Sequence, residues 1–222
     1  MGSQRPAILV DFDETAAEQN VAELLLTAFC HADWRSLRDA FRTGRITLRD
    51  YQERAFAGVS ASPECMARYV QEHASLRPGF VDLAHFCRAQ GVPLAIVTNG
   101  LEFYVHALLE RYGLLPLVEV YGVQARFTPY GPVYTYPWAT PYCWEWGNCK
   151  CRVLDHFRGR GYHIIYVGDS QNSDLCPASR SDLLFAHRSL LDYCRKAGIP
   201  AHPLGDFTDV LKVLTAQEAP RA

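Results

Sequence analysis

Asp11 and Asp13 stand two positions apart directly after the apolar run Ile8-Leu9-Val10, with Thr15 close behind. A buried strand that ends in acids places them at the carboxyl edge of its sheet, where open α/β folds bind ligands. Strand alternation points both carboxylates the same way. Two anions so close repel, and a hard cation such as Mg²⁺ is the usual remedy. Three further positions carry matching chemistry: Thr98-Asn99 after an apolar run at 92–97, Lys150 ahead of a helical pattern, and Asp169 with Asp174 after an apolar run at 164–167. A nucleophile, a cation cradle, an anion holder and a lysine are the parts that phosphoryl transfer needs. Each also has a plainer reading: an acidic turn, an ordinary Thr-Asn-Gly turn, a solvated lysine, a helix cap at Asp169-Ser170.

The elements that must position these groups alternate strand and helix, which argues for a parallel sheet with helices on both faces. Strands are expected at 7–11, 92–97, 164–167 and 183–186. Residues 18 to about 76 read as helical throughout, with Ser62 as a helix cap and Pro63 at the first helical position. Helices are also expected at 80–89, 103–112, 151–157, 190–196 and 209–214. The segment 118–147 is dense in Tyr, Trp, Pro and Thr and reads as short strands and turns. The expected fold is α/β: a Rossmann-like, three-layer α/β/α core with a parallel sheet, plus a small helical cap domain. The core would comprise 1–16 and 77–222, with an aromatic β flap at about 118–148, and the cap 17–76.

With 222 residues, 49% of them hydrophobic, the chain suffices for one sizeable core and a smaller accessory domain. A net charge of −2 gives no electrostatic case for nucleic acid or an anionic membrane as partner. Lysine is scarce, Lys150, Lys196 and Lys212 against 19 arginines, so a retained lysine suggests a role arginine cannot fill. Met1 to Pro6 is polar and no apolar stretch reaches membrane-spanning length, so a cytoplasmic protein is expected. Eight cysteines in a chain this long do not form a secreted disulfide scaffold. Cys143, Cys149 and Cys151, with His156, leave open a zinc or soft-metal site beside the alternative of free thiols.

In this order the four motifs resemble those of the haloacid-dehalogenase superfamily of phosphatases over nearly the whole chain. They are Asp11-Phe12-Asp13-Glu14-Thr15, Ile96-Val97-Thr98-Asn99-Gly100, Lys150, and Gly168-Asp169-Ser170 with Asp174. The resemblance implies that Asp11 attacks phosphorus and that Asp13 acts as acid and then base. It implies that Mg²⁺ is held by Asp11, the Asp13 carbonyl and Asp169, with Asp174 nearby. Thr98 and Asn99 would bind phosphate, and Lys150 would neutralise nucleophile and phosphoryl group. Two departures stand out. Glu14 replaces the usual glycine, and the acids of the fourth motif are one residue further apart than is commonest, leaving Ser173 and Asp174 as candidates for the second role. Asp174 is preferred.

A cap between motifs one and two resembles the branch containing phosphoserine phosphatase. Arg77-Pro78-Gly79-Phe80, Phe103-Tyr104-Val105, Cys149-Lys150-Cys151 and the run Ser181 to Ala186 resemble the methionine-salvage phosphatases acting on 2-hydroxy-3-keto-5-methylthiopentenyl-1-phosphate. Phosphocholine and phosphoethanolamine phosphatases share the cysteine-lysine feature. The expected partner is a small phosphorylated metabolite, with phosphoserine and pyridoxal phosphate as alternatives. Glu18, Gln19 and Asn20 are specificity candidates. Tyr121, Phe127, Tyr134, Trp138 and Trp144 could wall an apolar pocket or simply pack the flap on the sheet. Arg42, Arg45 and Arg49 could reach a carboxylate or form a solvated helix face. Rival readings are a serine hydrolase using Ser170 with His187 or His202, a phosphotransferase, and a non-enzymatic phosphoester-binding regulator.

Overall fold

In the computed structural model, which describes residues 5–218, the first strand β1 (Pro6–Val10) is buried on both faces. Ala7 and Leu9 point into one helical layer, Ile8 and Val10 into the other, as a two-residue period requires. Each buried Ile or Leu there contributes roughly 1.5–3 kcal/mol over an exposed position. The remaining strands are β2 (Leu94–Leu101), β3 (Glu119–Thr128), β4 (Gly131–Thr135), β5 (His163–Gly168), β6 (Leu183–Ala186) and β7 (His202–Pro203). Among the described residues they form a seven-stranded sheet in the order β4-β3-β2-β1-β5-β6-β7. β4 runs antiparallel to β3, and the other neighbours are parallel. Because β1 lies between β2 and β5, the strand order reverses at its carboxyl end, the switch point at which such sheets bind ligands.

Between β1 and β2 the chain forms α1 (Val21–Phe29), α2 (Trp34–Arg42), α3 (Leu48–Ala57), α4 (Pro63–His73) and α5 (Phe80–Gln90). Each of the first four begins on a side-chain cap: Asn20, Asp33, Thr47 and Ser62 each accept a hydrogen bond from a backbone N–H three residues on, satisfying donors the helix itself leaves free. Ser62 with Pro63 is the start expected from sequence. The chain enters and leaves this block side by side, through an antiparallel bridge between Ala17 and Leu76 and a bond from Arg77 N–H to the Ala16 carbonyl at 2.8 Å.

The later helices are α6 (Glu102–Arg111), α7 (Lys150–Gly159), α8 (Gln171–Arg180), α9 (Arg188–Ala197) and α10 (Phe207–Glu218). Val153, Phe157, Ala178 and Leu190, from α7, α8 and α9, cover the Ala7/Leu9 face. Helices α5, α6 and α10 and the first helical block cover the other, giving the three-layer α/β/α arrangement expected. Among the described residues no helix is long and apolar enough to cross a membrane. The polar start and the outermost residues assigned to the core, 1–4 and 219–222, lie outside the described residues.

Three elements differ from the sequence reading. β2 does not stop before Thr98 but continues to Leu101, because Leu101 regains its pairing with Val123 after an irregularity beyond Val97. Helix α8, given no bounds in the sequence reading beyond a cap at Asp169-Ser170, runs on through Pro177, a residue that normally interrupts helical patterns; the two-residue β7 was not expected.

Candidate active site

The turn after β1 sets the first two acids. Ala16 N–H bonds the Asp11 carbonyl at 3.1 Å and Ala17 N–H the Phe12 carbonyl at 2.9 Å. To close this turn Glu14 adopts φ +61, a left-handed conformation that a side chain tolerates poorly. Here lies the reason glycine suits this position. Arg77 holds the turn from outside, donating to the Glu14 carbonyl at 2.7 Å and the Thr15 carbonyl at 2.8 Å. The Glu14 side chain ion-pairs with Arg188.

Lys150, the first residue of α7, reaches the end of β1 across the sheet. Its Nζ lies 2.6 Å from Asp11 Oδ1 and 2.6 Å from Asp174 Oδ1. All three side chains are buried. Asp174 is fully engaged: Oδ1 also accepts from Tyr166 OH at 2.7 Å, and Oδ2 from the Asp169 and Ser170 N–H groups at 3.1 and 3.0 Å. Thr15 Oγ1 donates to Asp169 Oδ1 at 3.2 Å. One oxygen from each of Asp11, Asp169 and Asp174 falls within 4.8 Å of the others. Three buried carboxylates face a single ammonium group, a net deficit of positive charge.

The electrostatics follow from that crowding. Burial, with repulsion from Asp174 and Asp169, pushes the Asp11 carboxyl well above its ordinary range, against the pull of Lys150. Burial and Asp174 raise Asp169 to about 6. Burial opposes the charge on Lys150, but Asp11 and Asp174 together hold its ammonium above the ordinary lysine range. Asp13 is separate: its Oδ1 accepts from Val21 N–H at 2.7 Å and its Oδ2 from Tyr104 OH at 3.2 Å. Burial raises it to about 6, a value from which a carboxyl can both give and take a proton near neutrality.

Thr98 and Asn99 sit inside β2 rather than at the start of α6. Asn99 Nδ2 donates to the Asn148 carbonyl at 2.8 Å and the Trp146 carbonyl at 3.2 Å, so its side chain anchors the segment leading to Lys150. Asn148 reciprocates, donating to the Thr98 carbonyl at 2.6 Å and the Tyr121 carbonyl at 2.9 Å. Gly100 packs so closely that a Cβ there would lie 1.8 Å from Tyr104 OH. Gly100→Ala should therefore push Tyr104 off Asp13 and lower kcat by about 10–100-fold, given the cost of ångström-scale misplacement. Steady-state kinetics of the variant, with its circular dichroism spectrum as a fold control, would check this.

These groups open into one cavity of about 280 Å³. Asp11, Asp13, Thr98, Asn99, Lys150 and Asp169 floor it, and Ser173 reaches its side. Its far wall comes from the helical block: Leu26, Phe41, Leu48 and Phe56 are apolar, while Glu23, Arg38, Arg42, Tyr51 and Gln52 are polar. Of the specificity candidates, Asn20 lines the cavity, whereas Glu18 and Gln19 bond Ser75 at the exit of the block. Arg42 lines it; Arg45 bonds Thr43, and Arg49 pairs with Glu53 and stacks on Tyr136. For Tyr121, Phe127, Tyr134 and Trp138 the packing alternative describes the structure. Tyr121 packs on Trp138 and Phe157, Phe127 on Phe103, and Tyr134 against Tyr136, while Trp144 is largely exposed. Trp146 is the flap aromatic that reaches the cavity.

Sequence reasoning missed Tyr104, Tyr166, Asn148 and Arg38. A tyrosine buried inside a strand or helix, which must find a hydroxyl partner, was the available signal for the first two. Ser170 Oγ accepts from Ser173 N–H as the cap of α8, and His202 stacks on Phe185 at the sheet edge. Nothing in this arrangement prepares Ser170 as a nucleophile.

A sequence-family profile described as haloacid dehalogenase-like hydrolase matches residues 8–178. The 2-hydroxy-3-keto-5-methylthiopentenyl-1-phosphate phosphatase of Bacillus velezensis is 29% identical over 214 residues, 94% of this chain and 89% of that protein. The bifunctional enzyme MtnB/MtnX of Bacillus licheniformis is 31% identical over 216 residues, 95% of this chain, which spans 49% of that relative's length. Among solved structures, a phospho-aspartyl intermediate analogue of phosphoserine phosphatase matches with TM-score 0.70 at 14% identity, over 95% of this chain and 99% of that one. A probable phosphoserine phosphatase from Vibrio cholerae matches with TM-score 0.73 at 17% identity, over 96% of this chain and 65% of that one. At these identities the structural likeness is one of fold.

Proposed function

The chain belongs to the haloacid dehalogenase-like hydrolase family, and on that premise we propose that it is a Mg²⁺-dependent phosphomonoesterase working through an aspartyl-phosphate on Asp11. The observation that carries this reading is Lys150 Nζ held 2.6 Å from Asp11 and 2.6 Å from Asp174 at the switch point of the sheet. Asp11 attacks phosphorus while the bond to the ester oxygen breaks, and Asp13 gives that oxygen its proton. Asp13 then takes a proton from the water that attacks the phosphoryl group and frees Asp11. Lys150 balances the charge of the nucleophile and of the group in flight. Thr98 and backbone N–H groups at the end of β2 hold the phosphate oxygens.

A divalent cation fits the residues present. Three buried carboxylates share one ammonium, and their oxygens converge within 4.8 Å. Asp11 and Asp169, with the Asp13 carbonyl, would hold the ion directly. Asp174, whose oxygens are already bonded on four sides, would act from behind them. When bound, Mg²⁺ supplies Lewis-acid charge to the phosphate oxygens. Removing it with EDTA should abolish phosphate release and restoring Mg²⁺ should recover it; unchanged turnover in EDTA would contradict the assignment.

For the substrate we take 2-hydroxy-3-keto-5-methylthiopentenyl-1-phosphate, a small cytoplasmic metabolite. Relatives bearing that activity in their names align over most of the chain. The apolar wall of Leu26, Phe41, Leu48 and Phe56 suits a methylthio end, and α1 to α4, residues 17–76, act as a cap closing on the core. Phosphate release across a panel holding this ester, phosphoserine, phosphoethanolamine, phosphocholine and pyridoxal phosphate tests the choice. A preference of about 10–200-fold for the methylthio ester is expected, since recognition of one apolar group contributes ~1–3 kcal/mol. Even turnover of all five would contradict it.

A further inference from the structure

Four of the eight cysteines gather behind the site. Cys143, Cys149, Cys151 and Cys176 line one small cavity with Asn99, Lys150 and Ser173. Among the described residues no three of these sulfurs converge as a metal site would require, so the structure offers no cage for zinc. It offers a pair: Cys151 Sγ and Cys176 Sγ lie 2.7 Å apart. Cys151 follows Lys150 on α7, and Cys176 stands two residues after Asp174 on α8. The two thiols therefore join the same two helices that the Lys150–Asp174 ion pair joins.

We propose that Cys151 and Cys176 form a peroxide-reactive dithiol that closes to a disulfide and locks the Lys150-bearing helix to the Asp174-bearing helix. Cys176 is exposed and Cys151 is buried, so the oxidant meets Cys176 first. Its sulfur attacks hydrogen peroxide, the O–O bond breaks, the departing hydroxide takes up the Cys176 proton as water, and the thiol becomes a sulfenic acid. Cys151 then attacks the Cys176 sulfur, the S–O bond breaks, and the departing hydroxide takes up the Cys151 proton as water. In sum two thiols and one peroxide give one disulfide and two waters, and an added dithiol reverses the reaction. Sulfurs this close need less than an ångström of further approach to bond. Closure therefore leaves Lys150 where its carboxylates already hold it, and turnover should persist.

The test is to expose the full-length, reduced protein to hydrogen peroxide. Peptides would be mapped by mass spectrometry without reduction, with Tm and phosphate release measured in parallel. The expected result is a Cys151–Cys176 crosslink formed ahead of any other thiol loss. Tm should rise by roughly 5–10 °C for a loop of this length, and activity should stay within about twofold, because a fixed Lys150 keeps its ion pairs. Cys176→Ser should lose the crosslink and the Tm rise while keeping the reduced enzyme's activity, and Cys143→Ser should keep all three. Oxidation of Cys176 to sulfinic or sulfonic acid without a crosslink would overturn the proposal. A disulfide confined to Cys143 and Cys149, or one between chains, would overturn it as well. None of these outcomes depends on the identity of the phosphoester.

Discussion

Asp11→Asn is expected to lower kcat by about 10⁴-fold or more while leaving the melting temperature within a few degrees of wild type, because it removes a nucleophile without changing its shape. An amide oxygen cannot form the acyl phosphate, and no neighbour substitutes. Asp13 is turned to Val21 and Tyr104, and Asp174 is spent on Lys150, Tyr166 and two backbone N–H groups. Stability should hardly suffer, for a reason visible in the charges. Lys150 keeps Asp174 as its partner at 2.6 Å, and repulsion among three buried carboxylates falls. Phosphate release together with thermal unfolding separates the two effects.

Lys150→Ala should do the reverse to stability. Removing the ammonium leaves Asp11 and Asp174 buried without a cation, though Asp174 keeps Tyr166 and two backbone N–H groups, and breaking such a pair from one side costs about 3–5 kcal/mol. The loss should be largest at neutral and alkaline pH and shrink in more acidic solution. Carboxyls whose folded-state pKa is raised bind protons more readily when folded, so their stabilising protonation is present at low pH. It is lost as pH rises through the folded value, which for Asp169 is about 6 in the intact protein and moves higher once Lys150 no longer lowers it. Turnover should fall by about 10³-fold even where the fold persists, since charge placed beforehand against a developing anion contributes on this scale. Lys150→Arg should recover much of the stability but little of the turnover. A planar guanidinium does not fit a pocket shaped for a compact ammonium at the start of α7. Urea unfolding at pH 5 and pH 7.5, with kcat at each, would test both statements. An alanine variant as stable at pH 7.5 as wild type would refute the first.

The strands that deliver the site were legible because each is an apolar run ending in chemistry. β1 and β5 were read to within one residue at each end, and the order of Asp11, Thr98, Lys150 and Asp169 along the chain implied their meeting at one sheet edge. Glu14 was legible too: a glycine position filled by glutamate sits at φ +61. What stayed hidden depends on contacts that no local pattern encodes. Tyr104 meets Asp13 across 91 residues and Asn148 meets the Thr98 carbonyl across 50. The cap at Asp169-Ser170 hinted at α8, but not at the packing that brings Cys176 to Cys151. The aromatic flap was read either as a pocket wall or as packing on the sheet, and packing against α7 and α3 is what most of its Tyr and Trp serve. The cavity takes its apolar side from aliphatic and phenylalanine positions of α1 to α3, which in sequence look like any helical core.

The central claim is that phosphorus becomes bonded to Asp11. During turnover in Mg²⁺ the enzyme can be quenched with borohydride, which reduces an acyl phosphate to the alcohol, and the peptide carrying residues 5–18 then sequenced by mass spectrometry. Homoserine in place of Asp11, appearing only when substrate is present, is the predicted result. Phosphate released in the same reaction, with Asp11 recovered unchanged and another residue modified or none, would contradict the account.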